Sequence, residues 1–122
     1  MNTAKQQHVY SYFNKKIVAC KAEANALELD DRQDEAVFVK VRLNIYDVFR
    51  TVFSAAINYT QTDEQLVSFF RTKMDQIPRS WHASLQLAQQ HGDVAKAHIE
   101  QIKLDTVTEI RNVFESIWEV DA

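Results

Sequence analysis

Residues 32–59 read RQDEAVFVKVRLNIYDVFRTVFSAAINY, and their pattern is the most informative one for the fold. On a helical wheel its polar residues form a stripe only about 80° wide, while apolar residues occupy most of an arc of roughly 240°. A helix that packs on one side needs an apolar arc a little over 100° wide, about half of this one. We therefore expect residues 32–59 to form a central helix that contacts neighbours on several sides.

Glycine and proline are scarce in the 122 residues, since each occurs once, as Gly92 and Pro78. Average usage would give roughly nine glycines and six prolines in a chain of this length. Tight hairpins and phosphate-binding loops depend on glycine. The composition therefore disfavours all-β and phosphate-loop folds and predicts an all-α protein.

Apolar periodicity predicts four further helices, separated by a few turn signals. Without a break at residues 30–31, one helix through residues 4–59 would be about 84 Å long, which is too long for a compact domain of this size. The predicted helices span 4–29, 32–59, 63–77, 81–91 and 94–120. The turn signals are Asp30 with Asp31, a capping box of Thr62 and Gln65, Pro78 followed by Ser80, and Gly92 followed by Asp93.

These elements predict a single-domain helical bundle over residues 1–122, an ordinary length for one domain. The helices 4–29, 32–59 and 94–120 are its long members. The shorter helices 63–77 and 81–91 are expected to form a hairpin across one end of the bundle.

Charge and cysteine content indicate a compartment and disfavour some partners. Fourteen basic residues face seventeen acidic residues, for a net charge of −3. Nucleic acids and anionic membranes are bound largely through clustered cations, so neither is an expected partner. Cys20 has no second thiol for an internal disulfide, which favours a reducing compartment. Since Met1–Gln7 lacks an apolar signal core and no apolar run has transmembrane length, we expect a cytoplasmic protein without a membrane span.

Few residues are candidates for chemistry. Cys20 lies in the apolar stripe of the first helix, which favours a buried, inert thiol. No Glu-x-x-His and no Gly-x-Ser-x-Gly sequence occurs, so carboxylate-bridged metal sites and serine nucleophiles of that type are not expected. We predict no catalytic residue, no cofactor and no metal, and a role other than catalysis is favoured. The histidines, which lack metal-ligand spacing, are His8, His82, His91 and His98.

Two cations, Arg42 and Lys103, lie inside the apolar arcs of the second and fifth helices. A buried cation without a partner costs several kcal/mol, so each must be paired or must reach water along its stem. We expect ion pairs that fix the helix register, with Asp47 and Glu109 as candidate counter-ions. An alternative is that such a cation contacts an anion in a cleft between the second and fifth helices.

The wide apolar arc of the central helix favours association as the function. The short helices are expected to cover only one of its ends, which would leave an exposed apolar patch of several hundred Å². A two-fold dimer is the commonest closed arrangement and places the same patch on both chains. We expect a homodimer whose interface includes helix 32–59, with Tyr46 and Phe53 inside it and Arg50 at its edge.

Two alternative functions stay open, and no motif identifies a family. One is a small-molecule-binding bundle with a pocket lined by Tyr46, Phe49, Trp81 and Trp118. The other is a DNA-associated regulator that uses residues 63–91 as a helix-turn-helix, although residues 81–91 contain no Lys or Arg for phosphate contacts. A concave pocket with converging polar groups would favour ligand binding, whereas a flat apolar patch would favour association.

Overall fold

The computed structural model of the chain describes residues 1–119, and these residues form five helices and no strand. The predicted all-α bundle is confirmed, and residue 120, the predicted end of the fifth helix, lies outside the described residues. No helix within this part of the chain combines the length and the apolar composition needed to cross a membrane. The helices are α1 (Thr3–Leu29), α2 (Gln33–Tyr59), α3 (Asp63–Gln76), α4 (Arg79–Gln90) and α5 (Val94–Trp118).

α2 and α5 form the central pair of the bundle. α1 packs against this pair on one side, and α3 and α4 pack against it on the other. Contacts between side chains show that α1 runs antiparallel to α2, and that α5 runs parallel to α2. The defining pairs are Tyr10–Ser54 and Glu23–Arg42 for α1 and α2, and Phe38–His98 and Phe53–Phe114 for α2 and α5.

α3 and α4 lie one after the other along α5, where the sequence led us to expect a hairpin across one end. Arg71 of α3 pairs with Glu115 in the C-terminal half of α5. Trp81 of α4 packs under Lys103 in the N-terminal half of α5. The reason is that Pro78 between the two helices keeps right-handed helical angles (φ −72°, ψ −6°), so the chain bends there without reversing.

The same proline determines where α4 begins. The carbonyl of Pro78 accepts the amide protons of Trp81 and His82 at 3.0 and 3.1 Å. α4 therefore begins at Arg79, earlier than the predicted residue 81, and Ser80 lies inside the helix instead of capping it. At the start of α3, by contrast, the cap is the predicted one, since the Thr62 side chain accepts the amide proton of the residue three positions later.

The turns that follow α1 and α4 share one hydrogen-bond pattern. Asp31 has a φ angle of 56° and Gly92 has a φ angle of 68°, so both adopt the left-handed conformation that favours glycine. α2 then begins at Gln33 without a side-chain cap, so neither Asp30 nor Asp31 caps this helix. In both turns the next residue closes the helix end, through Arg32 N–H to Leu27 C=O and Asp93 N–H to Ala88 C=O, each at 2.8 Å.

The core covers both flanks of α2 within one chain. Between α2, α3 and α5 lies a group of buried rings that we call the aromatic cluster. On the opposite side, α1 contributes its predicted apolar stripe, which includes Phe13 and Ile17. The aromatic cluster consists of Phe49, Phe53, Phe70, Phe114 and Trp118.

Candidate functional site

Two residues expected at a dimer interface, Tyr46 and Phe53, lie in the core and are at most 3 % exposed. The expectation assumed that the short helices cover only one end of α2. In the structure α3 and α4 together extend along α5, and α1 covers the other side of α2. These two side chains therefore present no surface to a second chain, which corrects the expected interface. Arg50, expected at its edge, lies nearer the surface and donates a hydrogen bond to Asn14 of α1 at 2.8 Å.

The pocket expected beside the two tryptophans is filled by the rings themselves. Phe49 packs edge-on against Trp81, with ring centroids 6.5 Å apart. Trp118 is 5 % exposed and belongs to the aromatic cluster. Tyr46 instead packs against Tyr12 of α1, with ring centroids 6.2 Å apart. In the described part of the chain, these rings do not line one common cavity.

Arg42 and Lys103 each have a carboxylate partner that differs from the expected one. Arg42 Nη2 lies 3.2 Å from Glu23 Oε2 of α1. Lys103 Nζ lies 3.2 Å from Glu100 Oε1 on its own helix. Because their side chains are 42 % and 24 % exposed, both cations also reach water. The expected counter-ions have other partners, since Asp47 pairs with Arg50 and Glu109 pairs with Lys16.

A cleft of about 370 Å³ opens where α1, α2 and α5 meet, and we call it the polar cleft. It forms because α5 runs antiparallel to α1 and parallel to α2, which brings Glu109 level with Lys16 and Tyr46. Arg42, which the sequence singled out, lines the same cleft. Its polar lining consists of Lys16 from α1, Arg42 and Tyr46 from α2, and Asp105, Thr106 and Glu109 from α5.

Glu109 is the main hydrogen-bond acceptor of the polar cleft. It accepts a hydrogen bond from the Tyr46 hydroxyl, and its Oε1 atom lies 3.0 Å from Lys16 Nζ. Partial burial raises the pKa of Glu109, but the hydrogen bonds from Tyr46 and Lys16 lower it by more, so its pKa lies below the ordinary value. Glu109 is therefore ionised at neutral pH.

Two tyrosines, Tyr12 and Tyr46, lie beside this carboxylate. Burial and then the interaction with Glu109 raise the pKa of both hydroxyls well above the ordinary value. Both tyrosines are therefore protonated at neutral pH. A catalytic acid or base works best with a pKa near the operating pH, and none of these three groups meets that condition. The arrangement can bind charged groups, but these three groups supply no proton transfer near neutrality.

Lys16 and Glu23 were not among the predicted site residues. Each lies beside the apolar stripe of α1, where charged residues commonly border the buried face of a helix. Their partners, Glu109 and Arg42, belong to other helices. No local pattern marks such a pairing, because it depends on how the helices pack.

A group of exposed apolar side chains lies where α1 and α4 end and α2 and α5 begin, and we call it the apolar end. It accounts for four of the seven large apolar side chains that are exposed in residues 1–119. Isolated exposed apolar residues are ordinary, whereas a group at one end marks a candidate interaction surface. The apolar end consists of Leu29, Val37, Leu87 and Val94, which are 88, 48, 55 and 80 % exposed.

A larger groove, of about 790 Å³, lies between α3 and α5 toward the opposite end of the bundle. Arg71 donates two hydrogen bonds to Glu115 inside it, at 2.7 and 2.5 Å. The other charged residues of its lining are acidic, namely Asp63, Glu64 and Glu119. Since its one lining cation is already paired, the groove offers no free charge for an anionic ligand.

The described residues contain no group of three or more His, Cys, Asp or Glu side chains that could hold a metal ion. Comparisons of this chain with protein-family models, with curated proteins and with solved structures give no match. Within residues 1–119, the polar cleft and the apolar end are two candidate interaction surfaces.

Proposed function

We propose that the protein functions by self-association, as a homodimer joined through the apolar end. The observation that supports this proposal is the group of exposed side chains there, led by Leu29 at 88 % and Val94 at 80 %. Removing apolar surface from water stabilises a complex by roughly 25 cal/mol per Å² before the costs of association. A two-fold axis through this end would place the same side chains on both chains, as closed dimers require.

Charges around the apolar end determine how the dimer should respond to salt. Asp30, Asp31, Asp34 and Asp93 lie in or beside the two turns, and the neighbouring cations Arg32 and Lys96 are already paired within their own chain, with Glu35 and Glu100. Two copies that meet at this end would bring like charges together, which opposes dimerisation at low ionic strength. The dimer is therefore expected to tighten as salt is added, unlike a complex held by opposite charges.

Sedimentation velocity at micromolar concentration tests the proposal. We expect the dimer fraction of the natural protein to rise with protein concentration and with salt. The double variant Leu29→Gln and Val94→Gln is expected to stay monomeric, because it removes the two most exposed apolar side chains of the end without adding charge. The double variant Val18→Gln and Tyr59→Gln is the matched control, since it makes the same change at side chains that are 66 and 80 % exposed elsewhere.

A monomer at every protein and salt concentration would contradict the proposal. Equal loss of the dimer in both double variants would also contradict it, since it would point to a general effect of surface polarity. Loss of the dimer in the control alone would assign the interface to another surface.

The other features of the proposed role have separate support. Within the described residues, α3 and α4 do not pack side by side, so a helix-turn-helix in residues 63–91 loses the geometry it needs.

The buried free thiol of Cys20 supports a cytoplasmic, reducing location. A non-catalytic role is supported by the ionisation of Glu109 and its neighbours, which leaves those groups without a pKa near neutrality. The small-molecule alternative is supported by a different surface, the polar cleft.

A further inference from the structure

The polar cleft lies on the side of the bundle, and self-association through the apolar end does not use it. Its volume of about 370 Å³ falls within the range of small-molecule sites. Two cations, Lys16 and Arg42, and two carboxylates, Asp105 and Glu109, line it. We infer that the cleft binds a small zwitterion of the α-amino acid class, with its carboxylate at Arg42 and its ammonium group at Asp105.

Arg42 is the group that can receive a carboxylate. Its Nη2 atom contacts Glu23 at 3.2 Å and Cys20 Sγ at 3.6 Å, whereas its Nη1 atom has no hydrogen-bond partner among the described residues. Its buried Nε atom is also without a partner, so the protein satisfies this guanidinium only in part. The side chain as a whole is 42 % exposed, so part of it is open to solvent. A guanidinium stays charged at all physiological pH values, and its planar donors match a carboxylate.

Asp105 is the group that can receive an ammonium. Its Oδ1 atom accepts a hydrogen bond from Gln101 at 2.9 Å, and no side chain among the described residues donates to its Oδ2 atom. Glu109 is less available, because Lys16 and Tyr46 already bind it. The available charges are thus a cation on the α2 wall and a carboxylate on the α5 wall. These two charges have the signs that a zwitterion requires, whereas a simple anion would meet the charge of Asp105.

Part of the cleft wall suits an aliphatic side chain. Ile102 lines the cleft, and Thr106 uses its hydroxyl to donate a hydrogen bond to the Ile102 carbonyl at 2.7 Å. Because that hydroxyl is already bonded, these two residues add little polarity to the wall. An amino acid with an unbranched aliphatic side chain is therefore a suitable probe.

Three matched probes separate the contributions of the two charges. L-norleucine carries both charges, hexanoate carries only the carboxylate, and pentylamine carries only the ammonium group. In a calorimetric titration we expect L-norleucine to bind with a Kd of about 1 mM or tighter. Each probe with a single charge is expected to bind at least about tenfold more weakly, which corresponds to about 1.4 kcal/mol.

Two variants test the residues that the inference names. Arg42→Gln and Asp105→Asn each remove one charge while keeping a polar side chain, and each is expected to weaken L-norleucine binding about tenfold. Asp105 is exposed, so its variant keeps the test valid even if Arg42→Gln lowers the melting temperature. Arg79→Gln is the control, because Arg79 is an exposed arginine on α4 outside the cleft, and its variant should bind L-norleucine normally.

Three results would overturn the inference. The first is that L-norleucine does not bind at about 10 mM, a concentration tenfold above the expected Kd. The second is that all three probes bind equally well. The third is that neither Arg42→Gln nor Asp105→Asn weakens the binding of L-norleucine. The sedimentation test changes other residues, so self-association and ligand binding can each fail without the other.

Discussion

α3 and α4 are short successive helices, of 14 and 12 residues, that pack along the same partner, yet the core holds them in different ways. α3 inserts Leu66, Phe70 and Met74 into the core, and each of them is at most 1 % exposed. In α4 only Ala88 is buried, at 4 %. α3 is therefore anchored by large apolar side chains, and α4 is not.

The two helices also differ in how closely they approach α5. α4 makes more extensive backbone contact with α5 than α3 does, although it buries only a small side chain. Buried apolar area, and not closeness of the backbone, provides most of the stabilisation. We therefore expect α3 to contribute much more to the free energy of unfolding, and α4 to open first when the protein unfolds locally.

The largest expected loss in the free energy of unfolding comes from a substitution in the aromatic cluster. Phe70→Ala should lower the free energy of unfolding by about 3–5 kcal/mol, because it leaves a cavity between α2, α3 and α5. Leu85→Ala on α4 should cost only about 1 kcal/mol, since its side chain is partly exposed. Urea denaturation of both variants measures the difference. Equal losses would show that α4 is anchored as firmly as α3.

A smaller change in the free energy of unfolding, and one of opposite sign, is expected at Glu100, which lies on α5 near α4. Glu100 is 3 % exposed and pairs with Lys103, but its Oε2 atom is buried without a partner. Since Lys103 can reach water, Glu100→Met should raise the free energy of unfolding by about 1 kcal/mol. Glu109→Met is the matched comparison and should lower it by about 1–2 kcal/mol, because Lys16 and Tyr46 would lose their acceptor. A loss at Glu100 as large as that at Glu109 would contradict the prediction.

The turn at the end of α4 has a counterpart at the end of α1. A Cβ atom added to Gly92 would meet no atom within 4 Å, so only its left-handed backbone opposes a side chain. Gly92→Ala should therefore cost about 1 kcal/mol. Asp31→Gly should be stabilising by up to about 1 kcal/mol, because it relieves the same strain after α1. Thermal unfolding should show that the melting temperature falls in Gly92→Ala and rises in Asp31→Gly. Shifts of the same sign would contradict the interpretation that both turns have the same strained backbone.

The smallest expected change in stability concerns the ion pair between Arg71 of α3 and Glu115 of α5. The hydrogen bond from Arg71 lowers the pKa of Glu115 below its ordinary value of 4.5. Because the folded pKa is the lower one, the stabilisation is present above about pH 4.5 and is lost as the pH falls through the folded pKa. Both side chains are partly exposed, so the contribution is about 0.5 kcal/mol or less.

Glu115→Gln tests this pH dependence. Its stability should fall below that of the natural protein at about pH 6, and the difference should be smaller at about pH 3. Urea denaturation at the two pH values measures it. A difference of the same size at both values would indicate that the effect of the variant is not electrostatic.

Short-range patterns were sufficient for the helices and for some of their ends. The Thr62 cap and the Gly92 turn depend on residues within one turn of each other, and both occur as predicted. The turn at Asp31 was expected, but its left-handed aspartate was not, because that conformation favours glycine. The direction of α4 was also beyond prediction, since Pro78 is compatible with either a bend or a reversal of the chain.

The candidate site was predictable only in part. Arg42 was recognisable because a cation inside an apolar arc needs an explanation. Tyr46 was recognisable as part of the wide arc of α2, but not as a donor to Glu109. Lys16 and Asp105 carried no signal, since charged residues are ordinary both beside an apolar stripe and on the polar side of a helix.

Local sequence patterns were enough to predict the all-α class, the number of helices and the central position of α2. These properties depend on helix propensity and on apolar periodicity, which act within a single helix. The packing of the helices, by contrast, sets what covers the flanks of α2 and which charges meet in the polar cleft. The physical reason is that pairing between helices depends on their direction and offset, and one helical turn of about 5.4 Å is enough to separate two side chains.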